Sequence, residues 1–189
     1  MDLILCDDGM QHYALRRDLE IAVVDPDWSI GNGWPLPAGP LREPRWRLDT
    51  VDHVVYRGDP EGYVLQLGHA QALAGVERRE LALFRGERVH AVAGIADPGR
   101  FFEALRGGGV VVVEHPFPDH HDFCQADFRF AEPLPVLMTE KDAVKCAGLG
   151  LRDAWVISAD ALLARGWSEQ LCRQVVELVA HYNREPAVD

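Results

Sequence analysis

Lysine is almost missing from this chain, which has 17 arginines against two lysines, Lys141 and Lys145. Neither lysine follows a glycine. These residues therefore hold no glycine-rich phosphate loop closed by Lys and then Ser or Thr, and cannot by themselves wrap the β and γ phosphates of a nucleotide in the usual way. The four cysteines, Cys6, Cys124, Cys146 and Cys172, are widely spaced without a Cys-x-x-Cys pair. That spacing argues against a zinc ribbon or disulfide framework and predicts free thiols in a reducing, cytosolic compartment. Basic charge is scarce too: the formal net charge is −11 over 189 residues. Nonspecific nucleic-acid binding and simple attraction to an anionic membrane are both disfavoured. No run approaches the roughly 20 apolar residues that cross a bilayer, and Asp2, Asp7 and Asp8 stand where a signal peptide would carry its basic flank.

What is present is apolar and finely divided. With 48% hydrophobic residues the chain can bury a core of one medium domain, or of a domain with a small appendage. The runs Leu3–Cys6, Ile21–Val24, Val54–Tyr56, Val89–Ala93, Val110–Val113, Val136–Met138 and Trp155–Ile157 are short and rich in β-branched residues. Most are continuous rather than alternating, which predicts strands buried on both faces. Helix-compatible segments lie between several of them: Leu41–Asp49, Gly99–Arg106 after Pro98, and Ser168–Tyr182 with Ser168 as N-cap and Leu171, Val175, Leu178 and Val179 on one face. The pattern predicts an α/β fold with a mostly parallel sheet covered by helices. Tyr63–Leu67 and Leu81–Phe84 read as paired strands of a small antiparallel β insertion over 61–87, between a first portion at 1–60 and an α/β portion at 88–189.

Four segments carry candidate chemistry. Asp7 and Asp8 end the first apolar run, where a buried strand's carboxyl end would present a Walker-B-like acid to Mg²⁺; Asp8-Gly9 is equally a simple turn. Gly31–Pro44 is a Pro- and Gly-rich loop that either offers Trp34, Leu36 and Leu41 to a lipid with Arg42 forked onto a phosphate, or is an ordinary crossover. Phe117–Phe123 places His120 and His121 between Asp119 and Asp122, a pattern suited to general acid/base work, to metal ligation, or to a solvated loop. Both lysines fall in Thr139-Glu140-Lys141-Asp142-Ala143-Val144-Lys145, by chance or as a second ligand-facing edge of the sheet.

In this order, DDGMQH, GNGWPLPAGPLREP, AGIADPGRFF, FPDHHDF and MTEKDAVKC resemble the tetraacyldisaccharide 4′-kinase family of lipid A biosynthesis. The resemblance spans nearly the whole chain from Asp7 to the last helix. It implies a P-loop NTPase-like α/β fold and an ATP- and Mg²⁺-dependent transfer of the γ-phosphate to the 4′-hydroxyl of a tetraacylated glucosamine disaccharide 1-phosphate, giving lipid IVA. It also implies a place in the cytoplasm, peripheral at the inner membrane. By that resemblance Asp7 and Asp8 approach Mg²⁺, with Glu43 helping and Asp8 also catalytic. Arg42 meets the lipid 1-phosphate, His120 activates the attacking hydroxyl, and Lys141 and Asp142 order the nucleotide. The family's N-terminal phosphate loop, membrane helix and the aspartate that would partner His120 are not among these residues. The chain is accordingly expected to be a C-terminal portion with little turnover alone, an open sheet edge and a tendency to self-associate. Two alternatives are a noncatalytic lipid-disaccharide-binding remnant, and a metal-dependent phosphoesterase built on Asp7, Asp8, Asp119 and His120.

Overall fold

The computed structural model describes residues 3–26 and 30–182. They form two compact units, Met1–Leu65 with Ala161–Asp189, and Gln66–Asp160.

In the first unit, β1 (Ile21–Val24) and β2 (His53–Tyr56) pair in parallel with Ile21 opposite His53 and Val24 opposite Tyr56. The entry to the pair is fixed by Asp52, whose carboxylate accepts the Glu20 N–H at 2.8 Å. Against β2 lies the C-terminal helix α3 (Arg165–Tyr182), where His53 Nε2 meets Gln174 Oε1 at 2.7 Å and the Trp167 ring stands edge-on to His53. Leu171, Val175, Leu178 and Val179 are the half-buried face of α3, as the periodicity predicts. Ser168 is not its N-cap. The helix begins at Arg165, and the Ser168 hydroxyl donates back to the Arg165 carbonyl at 2.9 Å.

Two other expectations for this unit need correction. Leu3–Cys6 forms no strand, and Leu3, Ile4 and Leu5 are 53%, 72% and 86% exposed. An apolar run becomes a strand only where a neighbour completes its hydrogen bonds, and among the described residues none pairs with it. Leu41–Asp49 is not an α-helix either. The chain bends at Arg42 and Glu43, is extended at Pro44 and makes only a 3₁₀ turn over Arg45–Thr50, because the residue before a proline is steered away from helical geometry.

The second unit is organised by a six-stranded sheet of order β4-β3-β8-β7-β5-β6. Its members are β3 (Tyr63–Ala72), β4 (Arg78–Glu80), β5 (Arg88–Ala93), β6 (Val111–Pro116), β7 (Val136–Thr139) and β8 (Ala154–Leu163). The β6, β5, β7 and β8 strands run parallel, and β3 and β4 form an antiparallel hairpin pairing His69 with Glu80. This is the expected insertion with a different second strand: Leu81–Phe84 is a 3₁₀ turn that drops Leu81 and Phe84 into the core.

The continuous apolar strands β5 and β7 are buried on both faces, which is why they do not alternate, whereas β1 and β6 leave Val23 and Val111 exposed at 66% and 49%. One face of β5, with Val89, Ala91 and Ala93, packs with Leu137, Trp155, Ile157 and the Phe101, Phe102 and Leu105 side chains of α1 (Pro98–Gly107). The other, with Val92 and Met138, packs with Phe123 and with Ala143 and Cys146 of α2 (Glu140–Cys146). Burying each large side chain contributes roughly 1.5–3 kcal/mol. The start of α1 follows sequence logic: Asp97 is the N-cap, accepting the Arg100 N–H at 3.4 Å, and Pro98 takes the first helical position.

Candidate functional site

The candidate residues divide between the two units. Asp7, Asp8, Arg42 and Glu43 lie in the first, and His120, Lys141 and Asp142 in the second.

In the first unit the DDGMQH turn and the LREP loop are laced together by side chains. Asp8 sits in the left-handed region at φ 49°, a conformation that Asp tolerates better than most residues. Its Oδ1 accepts Arg42 Nη1 at 2.6 Å, and the same nitrogen reaches Gln11 Oε1 at 3.3 Å. Gln11 Nε2 in turn donates to Glu43 Oε1 at 2.7 Å, and the Tyr13 hydroxyl donates to Glu43 Oε2. Arg47, buried among these groups, reaches both Glu20 oxygens from Nη2 at 2.8 and 2.7 Å, and its Nε approaches Glu43 Oε2 at 3.3 Å. Arg17 closes the circuit, meeting Glu20 at 2.8 Å and the Gly9 carbonyl at 2.6 Å. Asp7 is exposed beside Asp8.

These contacts set the charges. The hydrogen bond from Arg42, aided by its positive charge, holds the Asp8 carboxyl below its ordinary range. Burial pushes Glu43 up, but the Tyr13 and Gln11 hydrogen bonds and the nearby Arg47 charge outweigh it, so its net shift is downward. The loop that carries Arg42 is a compact knot: Leu36 N–H donates to Leu41 O at 2.9 Å and Asn32 Nδ2 to Ala38 O at 2.8 Å. Gly39 is required there, because a Cβ would lie 2.3 Å from the Trp34 carbonyl oxygen. Trp34 and Leu36 stand 65% and 67% exposed.

Adjacent carboxylates on an exposed turn offer the hard oxygen donors that Mg²⁺ takes, and Mg²⁺ is commonly held by one or two carboxylates together with phosphate oxygens. Asp7 and Asp8 fit that requirement. Glu43 fits it poorly here, with both oxygens engaged by Tyr13, Gln11 and Arg47. Among the described residues no three His, Cys, Asp or Glu side chains gather as metal ligands would.

In the second unit the candidates sit at the carboxyl ends of β5, β6 and β7, the edge where ligands bind in open α/β sheets. His120 is left-handed at φ 60° with its side chain 91% exposed, and its Nε2 lies 3.7 Å from Asp119 Oδ2. His121 turns the other way. It stacks on Phe117 with centroids 4.6 Å apart and meets Asp127 Oδ2 at 3.1 Å. Asp127 also accepts the Cys124 N–H, and that bond followed by the His121 contact lowers its carboxyl pKa.

Lys141 is exposed on the first turn of α2. Asp142, expected to help order the nucleotide, is wholly buried. Its Oδ2 accepts the Gly94 N–H at 3.0 Å and the Thr139 hydroxyl at 2.7 Å, while Oδ1 has no hydrogen-bond partner. A capping carboxylate at a helix start satisfies local donors first, so Asp142 shapes the edge from within. Lys145 likewise braces the histidine loop by donating to the His121 carbonyl at 3.1 Å. Sequence reasoning passed over Tyr13, Arg47, Gly94 and Asp127; of these, only Tyr13 and Gly94 fall next to or within the motifs it marked.

Residues 1–176 match the family model described as Tetraacyldisaccharide-1-P 4'-kinase. The chain is 48% identical over 198 residues to the tetraacyldisaccharide 4'-kinase of Azoarcus sp. (strain BH72), covering 98% of this chain and 56% of that protein. It is 51% identical over 170 residues to the enzyme of that name from Xylella fastidiosa (strain M12), covering 83% and 50%. The crystal structure of the "apo" form of LpxK from Aquifex aeolicus in complex with ATP superposes with a TM-score of 0.63 at 28% identity, over 91% of this chain and 56% of that one. The mostly parallel sheet flanked by helices is thus the P-loop NTPase-like architecture expected. The chain spans about half the length of the curated relatives it matches, and it belongs to the tetraacyldisaccharide-1-P 4'-kinase family.

Proposed function

We propose that the chain supplies the acceptor-binding and catalytic edge of a lipid 4′-kinase, which transfers the γ-phosphate of ATP to the 4′-hydroxyl of tetraacyldisaccharide 1-phosphate and yields lipid IVA. The observation that carries this reading is the clasp of Asp8, Arg42, Gln11 and Glu43, which draws the family's acidic turn and its LREP loop into one cluster. ATP with Mg²⁺ supplies the transferable phosphoryl group and neutralises its developing charge. Asp7 and Asp8 hold the metal, with Glu43 oriented behind them. Arg42, an exposed guanidinium, forks onto the lipid 1-phosphate. His120 takes the proton of the attacking hydroxyl. Lys141 contacts the nucleotide and Asp142 keeps that edge in shape. Trp34 and Leu36 give the lipid an apolar landing beside Arg42, consistent with a peripheral position at the cytoplasmic face of the inner membrane. Among the described residues no helix is long and apolar enough to cross a membrane.

Phosphoryl transfer rests almost wholly on positioning and charge stabilisation. With no phosphate loop among these 189 residues, turnover by the chain alone is expected to be slight. The test joins the chain behind the preceding portion of the Azoarcus relative and follows radiolabelled γ-phosphate into the lipid. Product formation that disappears in His120→Ala supports the reading. A folded, ATP-binding fusion that leaves the lipid unphosphorylated sinks it, and lipid binding lost in Arg42→Ala without transfer would favour a noncatalytic lipid-binding role.

A further inference from the structure

Resting on the assignment of Arg42 to a phosphate and Asp8 to a divalent cation, we infer that the Arg42–Asp8 ion pair couples those two binding events, so that each ligand strengthens the binding of the other. The geometry makes the pair a shared resource. Arg42 Nη1 carries both of the guanidinium's contacts, at 2.6 Å to Asp8 Oδ1 and 3.3 Å to Gln11 Oε1. Asp8 Oδ1 is an oxygen that a metal would take. A phosphate arriving at Arg42 competes with Asp8 for the guanidinium's charge and repels the Asp8 carboxylate, freeing it for a cation. A cation on Asp8 cancels the charge that holds Arg42, freeing the guanidinium for a phosphate.

The exchange is easy because both side chains are on the surface, 60% and 68% exposed, where an ion pair is weak and its atoms are already reached by water. Glu43 behaves differently: its oxygens are gripped by Tyr13, Gln11 and Arg47, and Arg47 is itself pinned by Glu20. One side of the clasp is therefore fixed and the other is free to open. Gln11 stands between them, accepting from Arg42 and donating to Glu43, so Arg42 can leave without unfastening Glu43. Coupling between two ligands is reciprocal. The factor by which phosphate tightens metal binding must equal the factor by which metal tightens phosphate binding.

The experiment uses the purified chain, with Mn²⁺ standing in for Mg²⁺ and followed by electron paramagnetic resonance. Inorganic phosphate and glucosamine 1-phosphate serve as separate phosphate probes, followed by phosphorus NMR. Metal affinity is expected to rise about two- to fivefold when the phosphate probe is present, the size appropriate to an exposed pair, with the same factor in the reverse titration. Arg42→Ala is expected to bind Mn²⁺ as tightly without phosphate as the unaltered chain does with it, and circular dichroism checks that the variant is folded. Coupling by both probes assigns it to the phosphate, and coupling by the sugar phosphate alone adds a sugar contact; either supports the inference. Binding of both ligands with no mutual effect overturns the coupling and leaves the functional reading standing. Failure of the folded chain to bind either ligand overturns that reading and the coupling with it.

Discussion

The carboxylate of Asp142 accepts the Gly94 N–H at 3.0 Å, tying the end of β5 to the start of α2 with a single buried acid. The Thr139 hydroxyl shares the same oxygen, so one side chain satisfies two donors at the ligand-facing edge of the sheet. Replacing Asp142 with Ala strands both donors away from water. A loss of about 2–4 kcal/mol is expected, read from urea unfolding, and a change below about 1 kcal/mol would show the clamp to be incidental.

Gly94 is enclosed by the groups it helps to place. A Cβ there would lie 3.1 Å from Phe123 Cζ, 3.2 Å from Asp142 Oδ1 and 3.4 Å from His121 Cβ. Gly94→Ala should cost about 1–3 kcal/mol by overpacking and shift the His121 ring resonances in NMR spectra. Gly107→Ala, where a Cβ meets nothing, is the control and should leave those resonances where they are.

Arg47 is the guanidinium on which the first unit's charge circuit turns. Arg47→Ala leaves Glu43 without its cation and Glu20 with Arg17 alone, at a cost of about 2–4 kcal/mol after allowing for partial exposure. Arg47→Lys should recover only part, since one ammonium cannot replace separate nitrogens that reach Glu20, Thr50 and Glu43. Thermal unfolding of the three proteins gives the order; equal stability of the Lys variant and the parent would refute this bridging role.

Acid should weaken the fold in two stages. Burial, and then the neighbouring His90, lower the His115 pKa from its ordinary 6.5. The Glu43 carboxyl is brought below its ordinary 4.5 by its donors and Arg47 despite burial. In both cases the unfolded chain takes up a proton at a higher pH than the folded one. The stability is therefore complete above the ordinary value and is lost as pH falls through the folded value. The unfolding midpoint should decline first from about pH 6.5 and again from about pH 4.5. His115→Gln should remove the first decline alone, and a flat profile down to the second would contradict the His115 assignment.

Much of the second unit could be read in advance because its central strands β5 and β7 are apolar on both faces, and a run such as Val89–Ala93 has few other ways to be buried. Leu3–Cys6 has the same texture yet remains exposed, because a strand is a property of two partners and the run records only one. Ser168 failed as a cap for a related reason: a hydroxyl can cap a helix or donate to the turn before it, and here it donates to Arg165. The site divides similarly. Asp8, Arg42 and His120 stood out because turns and paired histidines leave local marks. Arg47 did not, being one of 17 arginines whose importance comes from Glu20, 27 residues away in sequence. Asp127 lies only six residues from His121, but no local pattern distinguishes it from Asp122.

The scarcity of lysine also gives the chain a chemical address. Lys145 is committed to the His121 carbonyl, while Lys141 stands exposed at the start of α2. An amine-selective reagent will therefore find Lys141 the more readily reached of the two lysine amines. A fluorophore attached there reports from the rim of the second unit without the introduction of a cysteine.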